Sequence, residues 1–198
     1  MNPANKLTVL RILLIPLFIL ALLLPDLWPA FAPYSHWVAA MVFLVAAITD
    51  ILDGRYARKH QIVTDFGKLM DPIADKILIV AAFVMLSCMR DEAHPNYLLH
   101  PILTIVFIAR EFLISGVRLI AAAKGVVISA GKLGKWKTTL QDIIVIALLL
   151  YDEFPFFYLN PVLRIIVEVL VYVALALSVL SAADYLIKNK GVLNLNDC

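Results

Sequence analysis

Six long runs of apolar residues, separated by shorter polar stretches, make up most of the chain. Runs of about 20 residues, or shorter runs that polar flanks extend to that length, are typical of helices that cross a membrane. The pattern therefore predicts an all-α, polytopic membrane protein with six transmembrane helices. The apolar segments are Leu7–Leu24, Trp37–Thr49, Ile77–Met89, Ile102–Ile120, Ile143–Tyr151 and Val162–Ala183.

The composition agrees with a membrane location. Of the 198 residues, 63% are hydrophobic and only 16% are charged, which is more apolar surface than a soluble fold could bury. The first apolar run lacks a small-residue cleavage signal, so we expect it to be retained as a helix that carries Pro16. Neither a repeat nor a linker divides the sequence, and residues 1–198 are predicted to form one transmembrane domain.

Basic residues are divided unequally between the two sides of the predicted helices. Only Arg90 and Arg164 lie on one side, while Arg110 lies within helix 4 and belongs to neither. The positive-inside rule therefore predicts that both termini and the loops between helices 2 and 3 and between helices 4 and 5 are cytoplasmic. Such a basic face suits anionic lipids and phosphorylated substrates better than nucleic acid. Its residues are Lys6, Arg11, Arg55, Arg58, Lys59, Lys68, Lys76, Arg118, Lys124, Lys132, Lys135, Lys137, Lys188 and Lys190.

Four aspartates lie close together around the predicted turn between helices 2 and 3. Asp50 and Asp53 are three residues apart, and Asp71 and Asp75 are four apart, so each pair shares one face of a helix. Ionised carboxylates are costly beside hydrocarbon unless a positive charge compensates them. If helices 2 and 3 are antiparallel neighbours, the two pairs can meet and bind hard cations such as Mg²⁺ or Mn²⁺, with room for two ions.

Small residues accompany these aspartates. Gly54, Ala57 and Gly67 have little or no side chain, which leaves space for a ligand such as a nucleotide diphosphate against the backbone. Each element also has a simpler explanation: small residues serve helix packing, Asp53 could pair with a neighbouring arginine, and Asp71-Pro72 could begin a helix. Those explanations do not account for all the positions together.

The motif formed by these residues resembles the signature of the CDP-alcohol phosphotransferase family. It reads Asp50-x2-Asp53-Gly54-x2-Ala57-Arg58, then eight residues, then Gly67-x3-Asp71-x3-Asp75, and it matches at every position. The resemblance implies six transmembrane helices, a homodimer, and a cytoplasmic-side cavity in which divalent metal binds a CDP-linked donor. Further blocks resemble the bacterial branch that uses CDP-diacylglycerol and glycerol 3-phosphate, which implies an inner-membrane enzyme of phospholipid synthesis. Those blocks are Asn2–Arg11, Thr64–Lys68, Asp71–Lys76, Ala109–Phe112 with Arg118, and Gly134–Thr138.

The resemblance also implies roles for individual residues. Asp50, Asp53, Asp71 and Asp75 would bind the metal, Mg²⁺ or Mn²⁺, and Asp75 would also be the general base that accepts the proton of the attacking hydroxyl. Arg58 would either contact the diphosphate or orient the aspartates. The residues expected to contact the CDP donor are Asn5, Thr8, Gly54, Ala57, Arg58 and Gly67.

The acceptor's phosphate requires basic residues near this site. Arg110 and Arg118 are eight residues apart, about two turns along one face of helix 4, and Lys135 and Lys137 lie at the start of helix 5. We expect these four to bind the acceptor phosphate, with Glu111 and Asp142 orienting them. For the two lysines, an ordinary positive-inside flank is an equally good explanation.

Other functions share part of this pattern. Synthesis of cardiolipin, phosphatidylserine or phosphatidylinositol phosphate uses the same signature with a different acceptor. A divalent-cation transporter would also carry intramembrane aspartates, but these gather at one membrane face and no broken inverted-repeat helix pair is apparent. A non-catalytic scaffold would not explain the signature.

Overall fold

A computed structural model describes residues 3–60, 65–89, 99–126, 132–151 and 160–190. Within these ranges the backbone is described throughout, whereas the side chains of residues 3–7, 50–60, 65–72, 75, 123, 132, 133, 135, 161 and 164 are outside the description. The described part of the chain contains six α-helices and a short 3₁₀ turn, Pro29–Phe31. The helices are α1 (Pro3–Leu27), α2 (Ala32–His60), α3 (Asp65–Cys88), α4 (Pro101–Ala123), α5 (Lys132–Tyr151) and α6 (Pro161–Lys188).

Local sequence explains where several helices begin. Helices α4 and α6 both start with proline, whose fixed φ suits the first helical position and whose missing N–H needs no partner there. The preceding residue caps each helix: the Nδ1 atom of His100 accepts from the Ile102 N–H at 3.3 Å, and Asn160 Oδ1 accepts from the Val162 N–H at 3.0 Å.

A glycine ends α4. Gly125 has φ +74°, in the left-handed region. Its N–H donates to Ala122 O at 3.0 Å, while the Val126 N–H donates to Ala121 O at 2.8 Å, which is the hydrogen-bond pattern of a Schellman cap. These bonds satisfy carbonyls that the end of the helix would otherwise leave unpaired.

The core lies where α1 packs against α2 and α3, with α5 closing against α2, α3 and α6, and with α4 lying against α3 and α6. Aromatic rings meet at 5.9 Å between Phe18 and Phe43 and at 4.8 Å between Phe83 and Phe107. Buried alanines let the helices approach closely; they include Ala21, Ala39, Ala40, Ala46, Ala82 and Ala174.

The outer surface is strongly apolar. Leu13, Leu119, Phe112 and Ile187 are each more than 60% exposed, as expected for side chains that face lipid. The six predicted apolar segments all lie in the six helices, apart from Met89, one residue beyond α3, so the all-α membrane fold is confirmed. By length and apolar composition, three described segments can cross a membrane: Thr8–Leu27, Pro29–Thr49 and Ile165–Lys188. Six crossings remain a prediction.

Candidate active site

The signature residues lie on two helices in contact. Asp50 and Asp53 are in the second half of α2, and Asp71 and Asp75 are in the first half of α3. Both stretches are helical and the two helices contact each other, so each pair of aspartates shares a helix face as predicted. The side chains of the four aspartates, and of Gly54, Ala57, Arg58 and Gly67, lie outside the description. The meeting of the two pairs of aspartates at one metal site therefore stays a prediction.

The donor set that these helices offer suits a hard divalent cation. Carboxylate oxygens from two neighbouring helices are the ligands that Mg²⁺ and Mn²⁺ prefer. Among the side chains that the structure describes, there is no group of three or more histidine, cysteine, aspartate or glutamate residues that could hold a metal ion. The signature aspartates, where the sequence predicts the metal site, are not among these side chains.

Helix α1 contributes polar residues to the interior. Thr8 and Arg11 lie about one turn apart and are 1% and 0% exposed, respectively. Asn5, one turn before Thr8, is helical, and its side chain is outside the description. Thr8 was expected to contact the CDP donor, whereas Arg11 was expected only as part of the basic cytoplasmic face. A fully buried arginine on the first helix is therefore a polar feature of the interior that the charge pattern alone did not indicate.

A polar cavity of about 130 Å³ lies between α1, α2, α3, α4 and α5. This volume is large enough for several water molecules or a small polar metabolite. Lys76, the residue directly after Asp75, lines it together with Lys137 of α5, so the cavity adjoins the signature segment of α3. The described lining residues are Arg11, Ala47, Lys76, Leu78, Ile79, Glu111, Lys137, Thr138, Thr139, Gln141 and Asp142.

A carboxylate shared by two cations joins α4 to α5 at this cavity. Glu111 Oε1 accepts from Arg110 Nη1 at 3.3 Å and is also paired with Lys137 Nζ. The three side chains are largely buried, with 10%, 13% and 3% of the side chains of Arg110, Glu111 and Lys137 exposed. Buried charges are tolerated when paired and hydrogen-bonded. The predicted orienting role of Glu111 therefore has a geometric basis for Arg110 and Lys137.

The other predicted acceptor residues are placed differently. Arg118 lies two turns beyond Arg110 on α4, as its spacing indicated; its Nε donates to the Tyr185 hydroxyl at 3.3 Å. Lys135 lies in the first turn of α5, and its side chain is outside the description. Asp142 lines the cavity. Arg110 and Arg118 are absent from the described lining of this cavity and contact α6 instead.

Sequence reasoning missed the residues of α6 that meet these arginines. Arg110 Nε donates to the Ser178 carbonyl oxygen at 3.1 Å, and Arg110 Nη2 donates to Ser181 Oγ at 3.0 Å. Ser178, Ser181 and Tyr185 follow each other at intervals of three and four within an apolar helix. A polar stripe at that spacing was the available signal, since polar groups on a membrane helix generally face protein.

Comparison with known proteins identifies the family of the chain. The model of the CDP-alcohol phosphatidyltransferase family matches residues 1–180, which is most of the chain. The chain belongs to the CDP-alcohol phosphatidyltransferase family. The resemblance carried by the signature is thereby confirmed, and members of this family generally use divalent metal ions.

Individual relatives match over nearly the whole chain. A Bacillus subtilis protein named CDP-diacylglycerol–glycerol-3-phosphate 3-phosphatidyltransferase is 38% identical over 200 residues, with 95% of each chain covered. Proteins of the same name are 35% identical in Haemophilus influenzae, covering 94% of this chain and 92% of the relative, and 34% identical in Rickettsia bellii, covering 93% of each. The similarity therefore extends well beyond the signature, into the helices that carry the basic residues.

Proposed function

We propose that this protein is a phosphatidyltransferase that makes phosphatidylglycerophosphate and CMP from CDP-diacylglycerol and sn-glycerol 3-phosphate. One observation from the structure carries the proposal: Lys76, adjacent to Asp75, and Lys137, in the predicted acceptor block, line the same cavity. A residue next to the donor signature and a residue of the acceptor block thus border one space. The relatives named for this reaction support the choice of substrates.

The reaction joins the two substrates at one phosphorus atom. Asp75, as general base, accepts the proton of the C1 hydroxyl of glycerol 3-phosphate. The resulting oxygen attacks the phosphorus on the diacylglycerol side of the diphosphate. A new phosphorus–oxygen bond forms, the bond to the CMP phosphate breaks, and CMP leaves with the bonding electrons. No covalent enzyme intermediate is required.

Helices α2 and α3 supply the metal and donor residues. Asp50, Asp53, Asp71 and Asp75 would hold two ions, Mg²⁺ or Mn²⁺. These ions, when bound, neutralise charge on the diphosphate and on the leaving oxygen. The donor's nucleotide and diphosphate would lie against the small residues of the signature and against α1. The proposed donor contacts are Asn5, Thr8, Gly54, Ala57, Arg58 and Gly67.

The acceptor phosphate would bind on the basic side of the site. Arg110, Arg118, Lys135 and Lys137 are the proposed contacts, since a phosphate dianion favours guanidinium and ammonium groups in a partly dry environment. Glu111 pairs with Arg110 and Lys137, which keeps two buried cations close together before the substrate arrives. The site would thereby be electrostatically prepared for a dianion.

The membrane arrangement completes the proposal. The apolar helices make the protein membrane-embedded; we further propose a multi-pass protein of the bacterial inner membrane with both termini and the active site in the cytoplasm. A homodimer is the proposed assembly. In this orientation the lipid-linked donor would enter from the bilayer, and glycerol 3-phosphate from the cytoplasm.

A direct assay tests the function. Purified protein receives CDP-diacylglycerol and Mg²⁺ or Mn²⁺, and glycerol 3-phosphate, serine, inositol phosphate or phosphatidylglycerol is added in turn. We expect CMP release and phosphatidylglycerophosphate only with glycerol 3-phosphate. CMP release with another acceptor alone would assign the chain to a different branch of the family. No CMP release with any acceptor, together with metal-ion flux into protein-containing vesicles, would favour a transporter.

A further inference from the structure

Residues along one face of α6 accept hydrogen bonds from both arginines of α4. Ser178, Ser181 and Tyr185 recur at intervals of three and four, so they lie along one side of the helix. Arg110 and Arg118 are eight residues apart on α4, about two turns along one side. Arg110 contacts Ser178 and Ser181, and Arg118, two turns further along α4, contacts Tyr185.

Arg110 is oriented from three directions. Its Nε donates to the Ser178 carbonyl, its Nη2 to Ser181 Oγ, and its Nη1 to Glu111. A guanidinium carries five N–H donors in one plane, so these three bonds fix the plane and leave one N–H on each terminal nitrogen. A guanidinium fixed in this way can bind a phosphate through two parallel bonds without first losing rotational freedom.

Arg118 is held by a weaker but complementary contact. Its Nε donates to the Tyr185 hydroxyl at 3.3 Å, and its guanidinium carbon lies 5.5 Å from the centre of the Tyr185 ring. The ring attracts the cation, and the hydroxyl fixes its direction. Because Arg118 is exposed, without these contacts its long side chain would sample many rotamers, all of which would have to be abandoned on binding a ligand.

We propose that Ser181 and Tyr185 are positioning residues that set the affinity for the acceptor's phosphomonoester group by holding Arg110 and Arg118 in their binding orientations. The inference rests on the proposed function and deepens it, because it adds α6 to the machinery that selects the acceptor. Neither residue touches the reacting atoms. Their substitution therefore changes acceptor binding more than the chemical step.

The alternative is that these contacts serve only helix packing. Serine and tyrosine hydroxyls commonly bond across helices in membranes, and a purely structural bond would affect folding and donor use as much as acceptor use. The two roles differ in kinetics. Positioning raises the KM for glycerol 3-phosphate selectively, while a loosened fold lowers kcat or changes the KM for CDP-diacylglycerol as well.

The experiment compares Tyr185→Phe and Ser181→Ala with the wild-type protein in detergent, with both substrates varied. Each variant removes one hydroxyl that orients an arginine. We expect the KM for glycerol 3-phosphate to rise about three- to tenfold, the range for loss of one ordinary hydrogen bond, with kcat and the donor KM changed less than about twofold. Tyr172→Phe, on the same helix and 60% exposed, is the matched control and should leave all three constants unchanged.

Two further variants test whether the effect passes through the arginines. Ser181→Thr retains the hydroxyl, so its KM for glycerol 3-phosphate should be close to that of the wild-type protein. In an Arg118→Lys background, Tyr185→Phe should raise the KM for glycerol 3-phosphate little further, because the guanidinium that Tyr185 orients has already been removed. The effects of the two changes on this KM are therefore non-additive. Ser178→Ala, which leaves the carbonyl contact in place, should have a smaller effect than Ser181→Ala.

The inference is overturned if Tyr185→Phe and Ser181→Ala leave the acceptor KM unchanged, or if they lower kcat or change both KM values equally. It is also overturned if Tyr185→Phe and Arg118→Lys act additively. If the wild-type protein uses a different phosphorylated acceptor, the proposed function fails but the same comparison, made with that acceptor, still decides the inference. If no phosphorylated acceptor is used, both fail.

Discussion

Replacing Glu111 with glutamine removes the negative charge that Arg110 and Lys137 share while keeping the size of the side chain. At 3.3 Å and an effective dielectric constant of about 20, the attraction between Arg110 and Glu111 is about 5 kcal/mol before desolvation is subtracted. Removing one partner of a buried pair typically costs about 3–5 kcal/mol, because the remaining charge stays buried. The glutamine oxygen can still accept a hydrogen bond, so we expect a loss near 3 kcal/mol.

A loss of that size is measurable by thermal unfolding in detergent, followed by tryptophan fluorescence. For a chain of this length, about 3 kcal/mol corresponds to a fall in Tm of about 6–12 °C. Asp184→Asn is the matched control, since Asp184 pairs with Lys188 at 2.8 Å on an exposed surface, where such pairs contribute well under about 1 kcal/mol. A Glu111→Gln variant that melts within about 2 °C of wild type, or no lower than the control, would refute the reasoning.

Ligand binding supplies a second measurement on the same variant. Loss of Glu111 raises the local charge of this group from +1 to +2, counted from Arg110, Lys137 and Glu111. If these cations face the acceptor phosphate, glycerol 3-phosphate will replace part of the missing negative charge and raise the Tm of the variant more than that of wild type. Glycerol, which lacks the phosphate, should not raise the Tm of the variant more than that of wild type. An equal shift for both proteins would place the phosphate elsewhere.

Four further predictions follow from the site and the fold. Asp75→Asn should abolish turnover while largely preserving CDP-diacylglycerol binding, because only the proton acceptor and one metal ligand are altered; normal turnover would exclude that role. Removing divalent metal with a chelator should stop CMP release, and adding Mg²⁺ or Mn²⁺ should restore it; activity that persists without metal would contradict the proposed metal site. Arg110→Ala should chiefly raise the KM for glycerol 3-phosphate, and an unchanged KM would remove Arg110 from the acceptor site. Gly125→Ala should destabilise the protein by about 1–2 kcal/mol because of its positive φ, whereas Gly116→Ala, in a helix with open space around it, should stabilise it by up to about 1 kcal/mol; equal effects on Tm would refute the assigned cap.

Much of the candidate site could be predicted because the relevant information is local. Asp71 and Asp75 share a face of α3 because they are four residues apart on a helix, and Arg110 and Arg118 share a side of α4 for the same reason. The sequence also predicted that Glu111 orients Arg110, and the two side chains pair in the structure.

The contacts between helices could not be predicted in the same way. Lys137 pairs with Glu111 across 26 residues of sequence, and Arg110 reaches Ser178 and Ser181 across 68 and 71. Helical periodicity shows which residues share a face, but it does not show which other helix that face will meet. That choice depends on the packing of all the helices together, on which a short pattern carries no information.

The sequence by itself determined the six helices, the faces that carry the signature aspartates and the α4 arginines, and the family of the chain. These follow from hydrophobic run length, from residue spacing on a helix and from a specific motif. Only the tertiary structure decided that Lys76 and Lys137 border one cavity and that α6 supplies hydrogen-bond partners to the arginines of α4. The physical reason is that a buried charge requires a partner at hydrogen-bond distance, and close packing of distant helices determines which residue becomes that partner.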